Sequence, residues 1–167
     1  MQVRELNGKD AADYYELRLE ALLTNPDAFL TTYVQEKQRP DPIPTTADRL
    51  DNDLSRTFGL FSDGKLSGVV TLVKETHPKY LHKANIVAMY VTPSIRGSGG
   101  GEMLMNEVMQ FAKAIRIELL HLSVVTENKA AKRLYAKVGF KTYGTEKHAV
   151  KLEKRYLDEE HMECFLT

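Results

Sequence analysis

Apolar positions along the chain change their period several times, and each change marks an element. Val3 to Leu6 reads as a short strand. From Asp10, whose short carboxylate suits a helix N-cap, to about Leu23 the spacing is helical, with Leu17 and Ala21 on one stripe. Asn25-Pro26 stops it, because the residue before proline is pushed out of the helical region. Phe29 to Pro44 holds Pro40, Pro42 and Pro44 and predicts an irregular loop leading to a short helix over Thr45 to Leu54. A loop of this length inside a compact domain is often functional. Arg56 to Phe61, the turn Ser62-Asp63-Gly64-Lys65, and Leu66 to Glu75 predict a hairpin, Asp-Gly being a strong turn signal.

Ala84 to Val91 is a third apolar strand, closed by Thr92-Pro93. A glycine-rich turn then opens a helix to about Ile115, in which Leu104, Val108, Phe111, Ala112 and Ile115 fall on one face. Leu119 to Val125 predicts a strand, Asn128 to Val138 a helix, and Gly139 sits where a C-cap glycine belongs. Two β-like segments follow, near Lys141 to Leu152 and His161 to Leu166. This order combines an antiparallel meander with one strand–helix–strand crossover. The expected fold is α/β, a mixed and mostly antiparallel sheet flanked by helices on both faces, with residues 1–167 as one domain.

Composition narrows the function. The 167 residues carry 23 Lys+Arg against 23 Asp+Glu, so no bulk attraction to nucleic acid or an anionic membrane is expected. The longest apolar run, Ile86 to Val91, is too short to span a bilayer. Met1 to Leu6 lacks the apolar stretch of a signal peptide, which predicts a cytoplasmic protein. A single cysteine, Cys164, excludes an intramolecular disulfide and a cysteine-cluster metal site.

The most informative segment is Val91-Thr92-Pro93-Ser94-Ile95-Arg96-Gly97-Ser98-Gly99-Gly100-Gly101-Glu102. It joins a strand to a helix, whose first N–H groups point outward and carry the positive end of the helix dipole. Glycines let a pyrophosphate approach those groups closely. A P-loop would continue Gly-Lys-Ser/Thr, whereas here the chain reads Gly101-Glu102-Met103. A dinucleotide fingerprint needs G-x-G-x-x-G after a parallel strand, and neither spacing nor context fits.

Arg96, Gly99 and Gly101 instead satisfy R/Q-x-x-G-x-G/A. Downstream, Asn128-Lys129-Ala130-Ala131-Lys132-Arg133-Leu134-Tyr135-Ala136-Lys137-Val138-Gly139-Phe140 matches N-x-x-A-x-x-L-Y-x-x-x-G-F throughout. With both motifs in order and one helix and one strand between them, the sequence resembles the GNAT superfamily of acyl-CoA-dependent N-acyltransferases from about Arg56 to Phe140. One position departs: Gly100 stands where the family usually carries a bulky apolar residue. That extra backbone freedom implies weaker pyrophosphate binding, or a helix that starts one residue late.

The resemblance implies acetyl-CoA as acyl-donor cosubstrate, no metal, and direct attack of an acceptor amine on the thioester. It assigns the backbone of Met89, Tyr90 and Val91 to the pantetheine arm, and Arg96, Gly97, Ser98, Gly99, Gly100 and Gly101 to the pyrophosphate. Asn128, Ala131 and Tyr135 share a helix face; the resemblance places them at the cofactor, with Asn128 hydrogen-bonding the pantetheine and the Tyr135 phenol acting as general acid for the departing thiolate. A ring buried for packing with a wet hydroxyl is the plainer reading of Tyr135. The general base is left open among Glu75, His148, His121 and a water chain. The acceptor is expected to be a small-molecule amine, shaped by the loops Phe29 to Pro44 and His77 to Lys83 and the turn after Leu152. The alternatives are a peptide or protein amine, a CoA-binding regulatory module without turnover, and an interaction domain without a ligand. A homodimer follows from the resemblance alone.

Overall fold

The computed structural model describes residues 1–166. Seven strands form one sheet: β1 (Gln2–Glu5), β2 (Ser55–Ser62), β3 (Lys65–Lys74), β4 (Lys83–Val91), β5 (Leu119–Val125), β6 (Lys141–Lys151) and β7 (Tyr156–Phe165), in the order β1-β2-β3-β4-β5-β7-β6. All neighbours are antiparallel except β4 and β5. Among the described residues, α1 (Ala11–Thr24), α3 (Pro42–Leu50), α4 (Gly100–Ala114) and α5 (Lys129–Lys137) pack on it, and α2 (Tyr33–Lys37) packs against α1. The expected mixed sheet with helices on both faces is the fold observed. No helix among the described residues is long and apolar enough to cross a membrane.

The two faces carry two cores. Under α4 and α5, Leu60, Val70, Leu72, Ile86, Leu104, Met105, Leu120 and Leu122 are buried together. Under α1 and α3, Leu6, Tyr14, Leu17, Leu50, Leu66, Val69 and Tyr90 form the second cluster. Strand alternation delivers this split, since Val69 and Val70 are adjacent in β3 yet belong to opposite cores. Asp63 and Gly64 both take positive φ, as the two-residue turn between β2 and β3 demands.

Three boundaries differ from the sequence reading. The first helical run starts earlier, at a 3₁₀ turn over Gly8–Asp10 capped by the Asn7 side chain. Asp10 makes no cap for α1; its carboxylate is taken by the Asn7 N–H and by Arg4. The stretch 29–44 is not wholly irregular. It holds α2, opened by a reciprocal Thr32–Gln35 capping box, and the start of α3 at Pro42. Prolines at the first turn of a helix lose nothing, because those N–H groups have no intrahelical acceptor. Finally, β7 begins at Tyr156 rather than His161. The acidic run Asp158-Glu159-Glu160 masks a strand whose partners on both sides, β5 and β6, lie elsewhere in the chain.

Gly100 is the first residue of α4, so the helix does not start late. A Cβ at Gly100 would lie 2.5 Å from Leu60 Cδ2, meaning the Leu60 side chain of β2 fills the space a bulky residue would take. The missing apolar group is supplied from across the sheet. Gly100→Leu alone should overpack this junction and lower stability by about 1–3 kcal/mol. Leu60→Ala alone should cost about 2–5 kcal/mol through the cavity it leaves. Together the two should lose less than their sum by about 1 kcal/mol or more in urea denaturation, because the inserted side chain refills the vacated space.

Candidate active site

Strands β4 and β5 are joined by only three parallel pairs, Lys83 with Leu119, Ala84 with Leu120, and Asn85 with His121. Beyond them the strands part. The β5-facing edge of β4 from Ile86 onward then has no strand beside it, and a cleft of about 440 Å³ opens in the wedge. Ala88 takes φ 54 there, and Ala88 and Met89 together face Val70 in a β-bulge. A bulge of this kind bends its strand and takes backbone groups out of the ladder.

The turn into α4 closes one end of the cleft. Gly97 and Gly99 take φ 81 and 87, where a Cβ would be strained, and nothing lies within 4 Å of where it would point. The first bond at the helix start runs from the Met103 N–H to the Gly99 carbonyl, so the N–H groups of Gly100, Gly101 and Glu102 precede the intrahelical ladder. Those amides and the dipole make the turn electropositive without any side chain. Arg96 is spent on structure: its guanidinium donates to the Val91 carbonyl at 2.9 Å and to Asn25 Oδ1 at 2.6 Å. This ties the turn to the segment after α1. Arg155, from the β6–β7 turn, pairs with Asp27 of that same segment and with Glu127.

The opposite wall comes from β5 and α5. Asn128 caps α5, its Oδ1 accepting from the Ala131 N–H at 3.2 Å, which leaves its amide NH₂ unspent. Tyr135 is buried with its ring against Phe140, and its hydroxyl has no protein partner among the described residues. Burial pushes the Tyr135 phenol up to about 12.

The acetyltransferase (GNAT) family matches residues 15–140, three quarters of the chain. The chain belongs to the GNAT acetyltransferase family. A probable acetyltransferase from Staphylococcus epidermidis is 28% identical with a TM-score of 0.81, covering 99% of each chain. The GNAT-family acetyltransferase of Streptococcus pneumoniae is 23% identical with a TM-score of 0.85 over 98% of each chain. The Salmonella typhimurium protein yncA, whose structure contains its cofactor acetyl-CoA, shares the fold at 19% identity and a TM-score of 0.83, covering 100% of this chain and 94% of that one. An uncharacterized N-acetyltransferase of Methanocaldococcus jannaschii is 33% identical over 72 residues, 43% of this chain. The chain spans about a third or less of the curated relatives it matches, 28% and 32% of their lengths.

Within this GNAT frame, most residues singled out from the sequence gather at the cleft. Met89, Tyr90, Val91, Arg96, Gly97, Gly99, Gly101, Asn128, Ala131 and Tyr135 all border it. Ser98 and Gly100 do not: Ser98 turns its hydroxyl back to the Ile95 carbonyl, and Gly100 is buried under Leu60. Tyr90 contributes main chain, since its ring faces α1 and its hydroxyl donates to Glu20 at 2.8 Å. Glu75 accepts from Asn85 at the joined end of β4, and His148 is stacked on Tyr156 in the β6–β7 hairpin. Neither Glu75 nor His148 borders the cleft, and the loop His77 to Lys83 stays away from it too. His121 faces Glu163 at 3.9 Å, and burial pushes its imidazole down.

Phe29, at the start of the loop expected to shape the acceptor pocket, borders the cleft, and so do Asn25, Ser123 and Glu159, which the sequence reading missed. A signal for Ser123 was present, because His121, Ser123 and Val125 alternate with the buried Leu120, Leu122 and Val124. Glu159 was hidden in the acidic run taken for a loop.

The raised Tyr135 phenol has a testable consequence. Unfolded tyrosine ionises near 10, so between about pH 10 and 12 the folded state holds one more proton and stability falls as pH rises through that window. Urea denaturation of Tyr135→Phe should lack this portion of the alkaline slope. An ultraviolet difference titration of wild type against the variant should place the Tyr135 transition above that of the exposed tyrosines.

Proposed function

We propose that the protein is an acetyl-CoA-dependent N-acetyltransferase that moves the acetyl group to a primary amine of a small molecule by direct attack. The parting of β4 from β5 carries the reading: it leaves an unpaired strand edge beside a glycine turn of free amides, the two things a pantetheine arm and its pyrophosphate require. The residues fit that ligand. The main chain of Met89 to Val91 would pair with pantetheine amides, and the amides of Gly97, Gly99 and Gly101, which border the cleft, would hold the pyrophosphate. Bound there, acetyl-CoA supplies an activated acyl group.

Tyr135 is the general acid in this reading. Its proton is retained throughout the physiological range, which an acid needs, but a phenol near 12 is a poor donor to a thiolate in water. In the cleft the same burial that raises the phenol also raises the basicity of a departing thiolate, so the mismatch narrows. The main-chain groups freed by the Ala88 bulge lie on the cleft and are suited to polarise a thioester carbonyl.

Acetyl-CoA at about 100 times its Kd adds about 2.7 kcal/mol to stability. For this chain length that should raise the thermal midpoint by roughly 5–10 °C, with ATP and NADH inert. Free-thiol detection with 1,4-diaminobutane, tyramine, L-lysine and an alanine-initiated peptide then tests turnover. Tyr135→Phe should lower kcat about 10²- to 10⁴-fold while leaving acetyl-CoA binding nearly unchanged. Binding without turnover of any amine by wild type would replace this reading with a CoA-binding module.

A further inference from the structure

The amine-transfer reading lacks a proton acceptor, since a primary ammonium titrates near 10 and must lose a proton before it can attack. Resting on that reading, we propose that Ser123, His161 and Glu146 form the relay that deprotonates the acceptor. Ser123 borders the cleft from β5, and Val125 and Glu159 border it beside Ser123. In the antiparallel register Ser123 stands opposite His161 of β7. Ser123 Oγ lies 2.8 Å from His161 Nδ1, and His161 Nε2 lies 3.2 Å from Glu146 Oε2 on β6. Three strands thus place a hydroxyl, an imidazole and a carboxylate in one hydrogen-bonded line from the cleft to the surface, where Glu146 is 57% exposed.

The line has one direction. A carboxylate beside Nε2 demands a hydrogen on that nitrogen, which leaves the Nδ1 lone pair to accept from the Ser123 hydroxyl. The Ser123 oxygen is then free to accept from a donor in the cleft. Around His161 the ionisable neighbours are Glu159 and Glu163 on its own strand, His121 on β5, and Tyr143, Glu146 and Lys141, the last opposite Glu163, on β6. The Tyr143 ring, 6.1 Å away, helps fix the imidazole plane. Three carboxylates against one lysine and two imidazoles suit an acceptor that arrives as a cation. Glu75 and His148 do not border the cleft.

The proton count closes. The ammonium gives a proton to Ser123 Oγ as the Ser123 proton passes to His161 Nδ1, and the imidazolium, held by Glu146, releases it to solvent. The neutral amine forms the new C–N bond at the thioester carbonyl. The C–S bond breaks with its electron pair on sulfur, and the thiolate takes the Tyr135 proton. The surplus proton on the amide nitrogen then returns to Tyr135.

His161→Gln, Ser123→Ala and Glu146→Gln test the relay, with the fastest acceptor of the four-amine panel as probe. His161→Gln should lower kcat at neutral pH about 100-fold, with the acetyl-CoA thermal shift and KM retained. Its kcat/KM should lose the ionisation that limits wild type at low pH and rise only as the free amine itself deprotonates. Ser123→Ala, which removes the hydroxyl between acceptor and imidazole, should fall about as far as His161→Gln. His148→Asn, away from the cleft, should stay within about twofold. In nitrogen NMR of the free protein, neutral His161 should be protonated on Nε2, and Glu146→Gln should weaken that preference. Turnover by His161→Gln within about threefold of wild type with an unchanged pH profile would overturn the relay alone, as would an Nδ1-protonated imidazole. Acetyl-CoA binding without turnover of any amine by wild type would remove the amine-transfer reading, and this proposal with it.

Discussion

Three parallel rungs between β4 and β5 hold the two halves of this sheet together, and the cleft exists because there are only three. Unpaired main-chain amides and carbonyls inside a protein are expensive unless something meets them, so a strand edge exposed to an internal wedge is a demand for a partner. Four strands on one side and three on the other diverge from that junction. The junction survives because the core under α4 and α5 runs continuously beneath both halves: Ile86 of β4 and Leu120 and Leu122 of β5 share it. Hydrophobic burial keeps the sheet whole where hydrogen bonding lets go.

Around the wedge, several charged and polar side chains are spent on structure. Arg96, the charged residue of the glycine turn, clamps the turn to Val91 and Asn25. Asn128 caps a helix before it can touch a ligand. Glu20 on α1 gathers the hydroxyls of Tyr90 and Thr92 and so steadies the far end of β4. Rigid support of this sort is what a site built from backbone amides needs, because a displaced amide cannot be rescued by a rotamer change.

The two sides of the wedge differ in kind. Toward α4 and α5 lie the free amides and Tyr135, suited to an anionic ligand with a long arm and to a leaving group that needs a proton. Toward the uncovered face of β5, β7 and β6 lie Ser123, His161 and carboxylates, suited to a cation that must lose one. The helices α1 to α3 cover only the other half of the sheet, so this polar surface stays open to an acceptor.

Local patterns in the sequence were enough for the family, for most elements and for many of the residues that border one side of the cleft. The glycine turn, the helix carrying Asn128 and Tyr135, and the strand before them are each specified by residues close together in the chain, where periodicity and backbone geometry act directly. What needed the tertiary structure was pairing at long range. Leu60 filling the space above Gly100, the masked start of β7, and Ser123 meeting His161 and Glu146 each join segments tens of residues apart. Neither partner's neighbourhood signals the other, because register between distant strands is decided by the packing of the whole sheet rather than by either strand alone. The amides of the glycine turn were therefore written locally, and the line of Ser123, His161 and Glu146 was decided only when the sheet closed.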